Sequence, residues 1–214
     1  MGALGSESPA CARRGARLWE LLRAPQLAVP AHLVHAKARL VRVLCAQLAP
    51  TLGAVAEYRR LLSDFFASLP TAAWARTLPG AATGTTVPWL VAEVGDARER
   101  WTSAADLPST GGVVPFTKAS GKHKTVLFRF GCNKWLRAAA HQLAWISLPQ
   151  SDWARAYYNR HRARGHSHHH ALRALAAKWL KIVFACWRRQ VPYDETYHLA
   201  TMARQQLRQR AAAA

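Results

Sequence analysis

A short stretch in the middle of the chain holds its densest set of reactive side chains. It reads Phe-Thr-Lys-Ala-Ser-Gly-Lys-His-Lys-Thr over residues 116–125. The glycine after the serine lets a bulky partner approach closely, since glycine has no Cβ. The lysines would hold a phosphate and stabilise charge developing on it, and the histidine could assist proton transfer. Ser120 is the candidate nucleophile. The candidate phosphate contacts around it are Lys118, Gly121, Lys122, His123 and Lys124.

A second interpretation of the same stretch is a solvated basic loop that grips a DNA or RNA backbone without reacting. Ser-Gly pairs are common in loops, so the residues by themselves favour this non-reactive loop. Further basic residues that we expect to contact nucleic acid follow the stretch: Arg129, Lys134 and Arg137.

The overall charge indicates the class of partner. The 214 residues include 30 Lys and Arg against 11 Asp and Glu, a net charge of +19. Residues 107–214 alone carry a net charge of +15 and five of the nine tryptophans. A protein this basic is expected to bind nucleic acid or an anionic membrane surface. Tryptophans among cations can stack on bases, but their helical spacing favours core positions for most of them.

The sequence lacks the patterns that are typical of disulfide-rich, zinc-finger, membrane-spanning and secreted proteins. The four cysteines form no Cys-x-x-Cys pair, which predicts reduced thiols rather than a disulfide framework or a zinc finger. No run of 18 apolar residues is present, and Met1–Ala10 lacks the basic and apolar parts of a leader. We therefore expect no membrane span, no secretory signal and no membrane partner.

A glycine-rich turn lies between two predicted helices. It reads Leu-Pro-Gly-Ala-Ala-Thr-Gly over residues 78–84. Such a turn can offer backbone N–H groups to a phosphate, as in helix-hairpin-helix modules, which makes Gly80 a candidate contact. The alternative, an ordinary joint between helices, is the one that this motif alone favours.

A histidine tract invites a metal interpretation. His166 and His170 are four residues apart in His-Ser-His-His-His, a spacing that could chelate an ion. No carboxylate or cysteine lies near in sequence to complete a tetrahedral site. We therefore predict no metal site here, but polar residues at a helix N-terminus and adventitious nickel binding in vitro.

The elements that must position these residues are predicted to be mainly α-helical. An apolar stripe from Leu33 to Phe65 predicts a long amphipathic or coiled-coil helix, which Pro50 should kink or split. Helices are further predicted near residues 134–146, 152–162 and 167–189, and a short strand near 126–130. The predicted segments are a loose N-terminal piece, 1–30; a helical linker, 31–69; a compact helical domain with one extended or hairpin loop bearing the serine, 70–197; and a basic C-terminal helix or tail, 198–214.

Several segments together resemble the C-terminal part of the insertion-sequence-110 family of bacterial transposases, the bridge-RNA-guided recombinases. The order and spacing of the matching segments carry the resemblance, which spans residues 25–205. They are Leu-Pro-Gly-Ala (78–81), Leu-Val-Ala-Glu-Val-Gly-Asp (90–96), Gly-Val-Val-Pro (112–115), Ser-Gly-Lys (120–122), Cys-Asn-Lys-Trp-Leu-Arg (132–137), Trp-Ala-Arg-Ala-Tyr-Tyr (153–158), Arg-Ala-Arg-Gly (162–165), Ala-Leu-Ala-Ala-Lys-Trp (174–179) and Pro-Tyr-Asp-Glu (192–195).

This resemblance implies a mechanism and a set of partners. It makes Ser120 the nucleophile that attacks a DNA phosphodiester and leaves a phosphoserine link. It implies magnesium held by four acids of a separate RNase H-like domain, which would activate the serine. It also implies a structured guide RNA, self-association through the linker helix and a bacterial cytoplasmic location at the nucleoid.

The chain departs from the family pattern in places. Nothing before Ala31 resembles the acid-bearing domain, and Pro108 falls where the family continues a helix. We therefore expect a truncated copy that is inactive without an acid-bearing partner. The alternative is a non-catalytic remnant that only binds nucleic acid. A third, unrelated class is a basic structural protein of a ribonucleoprotein.

Overall fold

The fold is mainly α-helical, as predicted. The computed structural model describes residues 9–25, 29–82, 84–120 and 123–213. Within these ranges the helices are α1 (Pro9–Arg23), α2 (Ala31–Ser68), α3 (Thr86–Val94), α4 (Asp106–Thr110), α5 (Lys134–Gln150), α6 (Asp152–Ala163), α7 (His168–Arg189) and α8 (Glu195–Ala213). Two 3₁₀ helices span Pro70–Ala75 and Arg98–Arg100, and two strands are β1 (Phe116–Ser120) and β2 (His123–Leu127).

The chain divides into two units, Met1–Ala54 and Val55–Ala214. In the first unit, α1 begins at Pro9 and covers much of the segment 1–30, for which we expected a loose piece. A proline in the first turn fits this start, because the missing N–H has no helical partner at that position.

Helix α2 runs through Pro50, so the split that was one of the two expected effects of this proline does not occur. A proline removes one backbone hydrogen bond, and the remaining turns of this 38-residue helix continue on both sides of it. The apolar stripe from Leu33 to Phe65 is exposed along its length, and Phe66 is the first buried residue of the helix. An exposed apolar stripe of this length is typical of a helix that packs against a partner.

The same helix also corrects the exclusion of a membrane span. By length and composition, Ala31–Ser68 could cross a membrane, with a mean hydropathy of 1.3 over an 18-residue window that is not buried. The criterion of an unbroken apolar run missed this helix because scattered polar residues interrupt the run. One such helix is weak evidence for a membrane, because core helices and signal sequences meet the same criterion.

The core of the second unit forms between α5 and α7. Helix α7 packs against α4, α5 and α6 and the first 3₁₀ helix, and α3 packs against α5. The largest side chains that are fully buried at these contacts are Trp74, Leu90, Leu107, Leu136, Leu143, Leu175, Trp179, Leu180 and Trp187. This confirms the expectation that most tryptophans of the basic half serve the core.

Buried tryptophans in this core have hydrogen-bond acceptors for their indole N–H groups. Trp179 donates to the Ser147 hydroxyl at 2.8 Å, and Trp153 donates to the Tyr193 hydroxyl at 2.8 Å. Trp187 donates to the Gly95 carbonyl, also at 2.8 Å. Because each of these indole N–H groups has an acceptor, burial of the three rings leaves no unsatisfied hydrogen-bond donor on them.

The helix boundaries of the basic half differ from the predicted ones mainly at prolines. Helix α5 continues through Pro149 to Gln150, although the apolar pattern predicted an end near Ile146. Helix α7 begins after Ser167, whose side chain accepts from the backbone N–H of His170, and ends at Arg189, as predicted. The predicted strand at 126–130 lies instead at His123–Leu127.

Candidate nucleic-acid interface

Ser120 is exposed at the end of β1, the first strand of an antiparallel hairpin. The register pairs Phe116 with Leu127 and places His123 directly opposite Ser120. Strand pairing orders the backbone that leads up to the serine, because β1 and β2 are hydrogen-bonded to each other. The serine hydroxyl is therefore presented to solvent from a regular element, where a large substrate can reach it.

The sequence-predicted phosphate contacts around Ser120 are only partly described. Gly121 and Lys122 lie outside the described residues. Lys118 lies in β1, and His123 and Lys124 lie in β2, while their side chains are outside the description. Their roles as phosphate contacts remain predictions. The structure adds that Lys118, His123 and Lys124 belong to one hairpin.

Arg137 organises the segment that follows the hairpin. It projects from α5, and its Nε donates to the Gly111 carbonyl at 3.2 Å. Its Nη2 contacts the Arg129 carbonyl and the Cys132 sulfur. The guanidinium also lies over the Phe128 ring, with Cζ 4.6 Å from the ring centroid. The hydrogen-bond donors of Arg137 thus fix the backbone around Gly111 and Arg129. Among the predicted nucleic-acid contacts, Arg137 is therefore a positioning residue.

Phe128 also contacts a second arginine, Arg173, which was not among the candidates from the sequence. Arg173 of α7 places its Cζ 4.9 Å from the centroid of the same ring, and Phe130 packs edge-on at 5.1 Å. Cations over an aromatic ring are attracted by its quadrupole. We call Phe128, Arg129, Arg137 and Arg173 the arginine–phenylalanine cluster. No spacing in the sequence indicates that α7 reaches this segment.

The cluster borders a surface cavity with an aromatic and basic lining. The cavity has a volume of about 440 Å³ and is lined by Phe116, Leu127, Phe128, Arg129, Phe130 and Gly131. The guanidinium of Arg129 lies over the Phe116 ring at 5.7 Å, and its buried Nε has no hydrogen-bond partner among the described residues. Phe130 is 79% exposed. Exposed aromatic faces beside arginines can stack on bases while the cations contact phosphates.

The charge of the cluster is not neutralised by neighbouring acids. Within the described ranges, no carboxylate lies within salt-bridge distance of Arg129, Arg137 or Arg173, whereas Arg60 and Asp64 of α2 pair at 3.3 Å. Lys134, the first residue of α5, is exposed. This surface therefore offers unpaired positive charge to a polyanion.

His141 lies one turn after Arg137 on α5 and is half-buried near the same cations. Burial lowers the pKa of its imidazole below the usual 6.5, and the charges of Arg173, Arg137 and His169 lower it further. Its Nε2 is buried without a hydrogen-bond partner among the described residues. A neutral His141 limits positive charge behind the cluster, where a cation would be poorly solvated.

Gly112 is required by the packing around Arg137. Its φ is +59°, in the left-handed region, and an added Cβ would lie 2.5 Å from Arg137 Nη2 and 2.8 Å from Cys132 Cβ. Both the conformation and the contact therefore select glycine. The residue opens the Gly-Val-Val-Pro segment that leads into β1.

Asn133 connects two helices beside the cluster. Its Oδ1 caps α5 by accepting from the backbone N–H groups of Trp135 and Leu136 at 2.9 and 3.0 Å. Its Nδ2 donates to Glu93 of α3 at 2.7 Å, and its backbone N–H donates to the Thr110 carbonyl. One side chain thus fixes the start of α5 relative to α3.

Gly80 has a packing role that the sequence analysis did not foresee. Its φ is +78°, and an added Cβ would lie 2.9 Å from Ile146 of α5. Its backbone N–H donates to the Gln150 side chain at 3.0 Å. The N–H that was expected to face a phosphate is therefore already used.

The described carboxylates do not form a magnesium site. Among the described residues, the group of metal-ligating side chains close enough to hold one ion consists of three histidines, namely His161, His166 and His170. Imidazole nitrogens are poor ligands for magnesium, which prefers oxygen. The acids instead have structural partners, as in Glu93 with Asn133 and Asp106 with the turn at Thr102 and Ser103.

Comparison with known proteins identifies the segment that carries this surface. Residues 72–159 match the IS116/IS110/IS902 transposase family. This segment is therefore similar to the transposase domain of that family. The matched segment includes Ser120, the hairpin, Arg129 and Arg137, while Arg173 and the histidine tract lie beyond it.

Two proteins of Streptomyces coelicolor are similar to the chain. The mini-circle protein assigned as the transposase for IS117 is 37% identical over 106 residues, which is 50% of this chain and 26% of that protein. The 43.6 kDa protein of insertion element IS110 is 34% identical over 158 residues, 71% of this chain and 38% of that protein. The matched regions thus span about a quarter and about two fifths of these relatives.

Proposed function

We propose that this chain binds DNA and carries the nucleophilic serine of a transposition reaction. The observation that supports this best is the position of Ser120, exposed at the end of β1 in a basic hairpin within the segment matched to the transposase family. A nucleophile that acts on duplex DNA must be accessible, and the exposure of Ser120 supports this role.

The reaction that we propose is a transesterification at a DNA phosphodiester. The Oγ of Ser120 attacks phosphorus, a new O–P bond forms, and one P–O bond to deoxyribose breaks. The leaving sugar oxygen takes up a proton and the serine hydroxyl loses one, so that no oxidant or external energy source is needed. Attack of a new DNA hydroxyl on the phosphoserine link would complete strand transfer and restore the serine.

The partners in this proposal are DNA, a structured guide RNA and further copies of the chain associated through α2. Magnesium and its carboxylate ligands would come from an acid-bearing domain outside the 214 residues, since the described residues do not offer such a site. The exposed stripe of α2 supports association between copies. The location that fits these partners is the bacterial nucleoid.

A second candidate function is DNA or RNA binding without catalysis. The arginine–phenylalanine cluster favours it, because unpaired cations and exposed aromatic rings bind a strand whether or not Ser120 reacts. The two functions differ in one observable, a covalent protein–DNA adduct that survives SDS.

The test compares Ser120→Ala with Thr117→Ala, a control that removes a neighbouring exposed hydroxyl of the same strand. Each protein is incubated with labelled insertion-sequence ends, guide RNA, Mg²⁺ and an RNase H-like domain from a related transposase. We expect the unsubstituted chain and Thr117→Ala to form an SDS-resistant adduct, and Ser120→Ala to form none while its DNA affinity is unchanged.

Two other outcomes would decide against the serine reaction. An adduct that persists in Ser120→Ala contradicts the assignment of the nucleophile. Tight, salt-sensitive binding by all three proteins without any adduct contradicts catalysis and supports the second candidate function.

A further inference from the structure

Three histidines meet where α6 turns into α7. His161 lies in the last turns of α6, His166 in the connection, and His170 in the first turn of α7. One ligand nitrogen from each lies within 4.8 Å of the others. The sequence analysis considered only the pair in the tract, because His161 is separated from it and joins it through the fold.

The backbone of the connection holds the three residues together. Gly165 has a φ of +82° and reverses the chain, and the His166 N–H donates to the His161 carbonyl at 3.3 Å. Arg162 donates to the His166 carbonyl at 2.7 Å. The positions of the three Cα atoms are therefore set by hydrogen bonds that do not use the imidazole rings.

The three imidazole rings lie close to one another. His166 and His170 stack with centroids 4.2 Å apart and an interplanar angle of 5°, and the His161 ring lies 5.5 and 6.2 Å from them. The Nδ1 of His161 is buried without a hydrogen-bond partner among the described residues.

We propose that His161, His166 and His170 bind one divalent transition-metal ion of the zinc type. Three imidazoles suit zinc, copper and nickel and do not suit magnesium or calcium. Ligand nitrogens around tetrahedral zinc are about 3.3 Å apart, as follows from Zn–N distances of about 2.0–2.1 Å. To reach this spacing from within 4.8 Å, the imidazole rings of His166 and His170 must turn out of their parallel stack.

The three histidines lie beyond the segment at residues 72–159 that matches the transposase family. The proposed metal site can be tested without the serine reaction, because the measurement of zinc binding needs no DNA.

Two neighbouring residues, His168 and His169, make it possible to distinguish the proposed site from nonspecific metal binding by the histidine tract. His168 is engaged elsewhere, with its Nδ1 2.7 Å from the Tyr158 hydroxyl and its ring edge-on to Trp145. His169 is exposed and belongs to the tract but not to the three-histidine group. Replacing His169 therefore removes one tract imidazole and leaves the proposed ligands intact.

The experiment is calorimetric titration of the full chain with ZnCl₂, supported by the visible spectrum of the Co²⁺ form. We expect one zinc per chain and Co²⁺ bands of tetrahedral intensity. His161→Gln should weaken zinc binding about a hundredfold or more, and His169→Gln should change it less than about threefold. Equal binding by His161→Gln and the unsubstituted chain, or equal weakening by both variants, would mean adventitious tract binding and overturn the proposal.

A second variant keeps the test valid if His161→Gln fails to fold. His170 is exposed, so His170→Gln should retain the circular dichroism spectrum of the unsubstituted chain while losing the Co²⁺ bands. Retention of those bands in folded His170→Gln also overturns the proposal.

Discussion

Individual residues around the arginine–phenylalanine cluster divide into those that hold the chain and those that face solvent. Arg137 and Gly112 hold it, the first by hydrogen bonds and the second by leaving room for the guanidinium. Ser120 and Lys134 are exposed and free to meet a substrate. Substitutions in the first group should therefore change stability, and those in the second should change activity or affinity.

Gly112→Ala should destabilise the protein. The new Cβ would clash with Arg137 and Cys132, and alanine disfavours a φ of +59°. We expect the free energy of unfolding in urea to fall on the order of 2–3 kcal/mol. Gly131→Ala is the matched control, because nothing lies within 4 Å of its added Cβ. Equal stability of Gly112→Ala and Gly131→Ala would contradict the packing described here.

Stability should decrease as the pH falls below about 6.5, and His141 should contribute to this decrease. Its folded-state pKa lies below 6.5, so the unfolded chain binds the proton more readily. The stabilisation is present above pH 6.5 and is lost as the pH falls toward the folded-state value. His198 acts in the same direction, because burial also lowers its pKa.

The measurement is the urea unfolding free energy between pH 7.5 and 5. His141→Gln should have a shallower decrease than the unsubstituted chain, since glutamine does not titrate. Superimposable pH profiles of the two proteins would contradict the claim that burial, Arg173 and Arg137 lower the pKa of His141.

At the scale of elements, α5 carries the site because it contributes to both the core and the surface. Leu136 and Leu143 on one face are buried, while Lys134 and Trp135 at its start are exposed. Its N-cap, Asn133, fixes that start against α3. The positions of the exposed residues of the site therefore depend on where α5 begins.

Asn133→Ala should reduce the free energy of unfolding by about 1–2 kcal/mol, because it removes the cap and the hydrogen bond to Glu93. Asn133→Ser separates the two effects, since a serine oxygen can still cap the helix but cannot reach Glu93 as a donor in the same way. We expect an intermediate loss for serine in urea unfolding. Losses below about 0.3 kcal/mol for both variants would contradict this role.

The sequence could predict elements wherever local periodicity decides them. Helices α6 and α7 were placed within a few residues, because apolar spacing, Ser167 and Pro192 act locally. The split expected at Pro50 and the helix end expected before Pro149 do not occur, since neighbouring turns can compensate for one lost hydrogen bond.

The site was less predictable than the elements because it depends on contacts between distant segments. The basic hairpin and Ser120 could be named from adjacent residues. The approach of Arg173 to Phe128 depends on how α7 packs against the rest of the fold. The approach of His161 to His166 depends on the turn that connects α6 to α7. No pattern in a single sequence encodes those distances, so both residues were missed.

At the scale of the whole molecule, charge dominates the expected behaviour. With a net charge of +19, binding to DNA should release many counterions and weaken steeply with salt. The exposed stripe of α2 is the basis of a second expectation, that copies of the chain associate. Neither expectation depends on whether Ser120 reacts.

Lys134→Gln should lower DNA affinity uniformly across sequences and reduce the slope of log K against log salt by about 1. Arg60→Gln is the matched control, because that side chain is paired with Asp64 in α2. The measurement is fluorescence anisotropy with labelled duplex DNA from 50 to 300 mM salt, a range of about sixfold in ionic strength. An unchanged slope for Lys134→Gln, or an equal change for Arg60→Gln, would contradict a contact between Lys134 and a DNA phosphate.

The central claim, that Ser120 is the nucleophile, is tested most directly by locating the covalent link. The SDS-resistant adduct is digested with nuclease and protease, and the peptides are sequenced by mass spectrometry. The account predicts a nucleotide phosphate on the peptide containing Ser120, attached to that serine. A nucleotide on Thr117, on Tyr157 or on any other residue would contradict it.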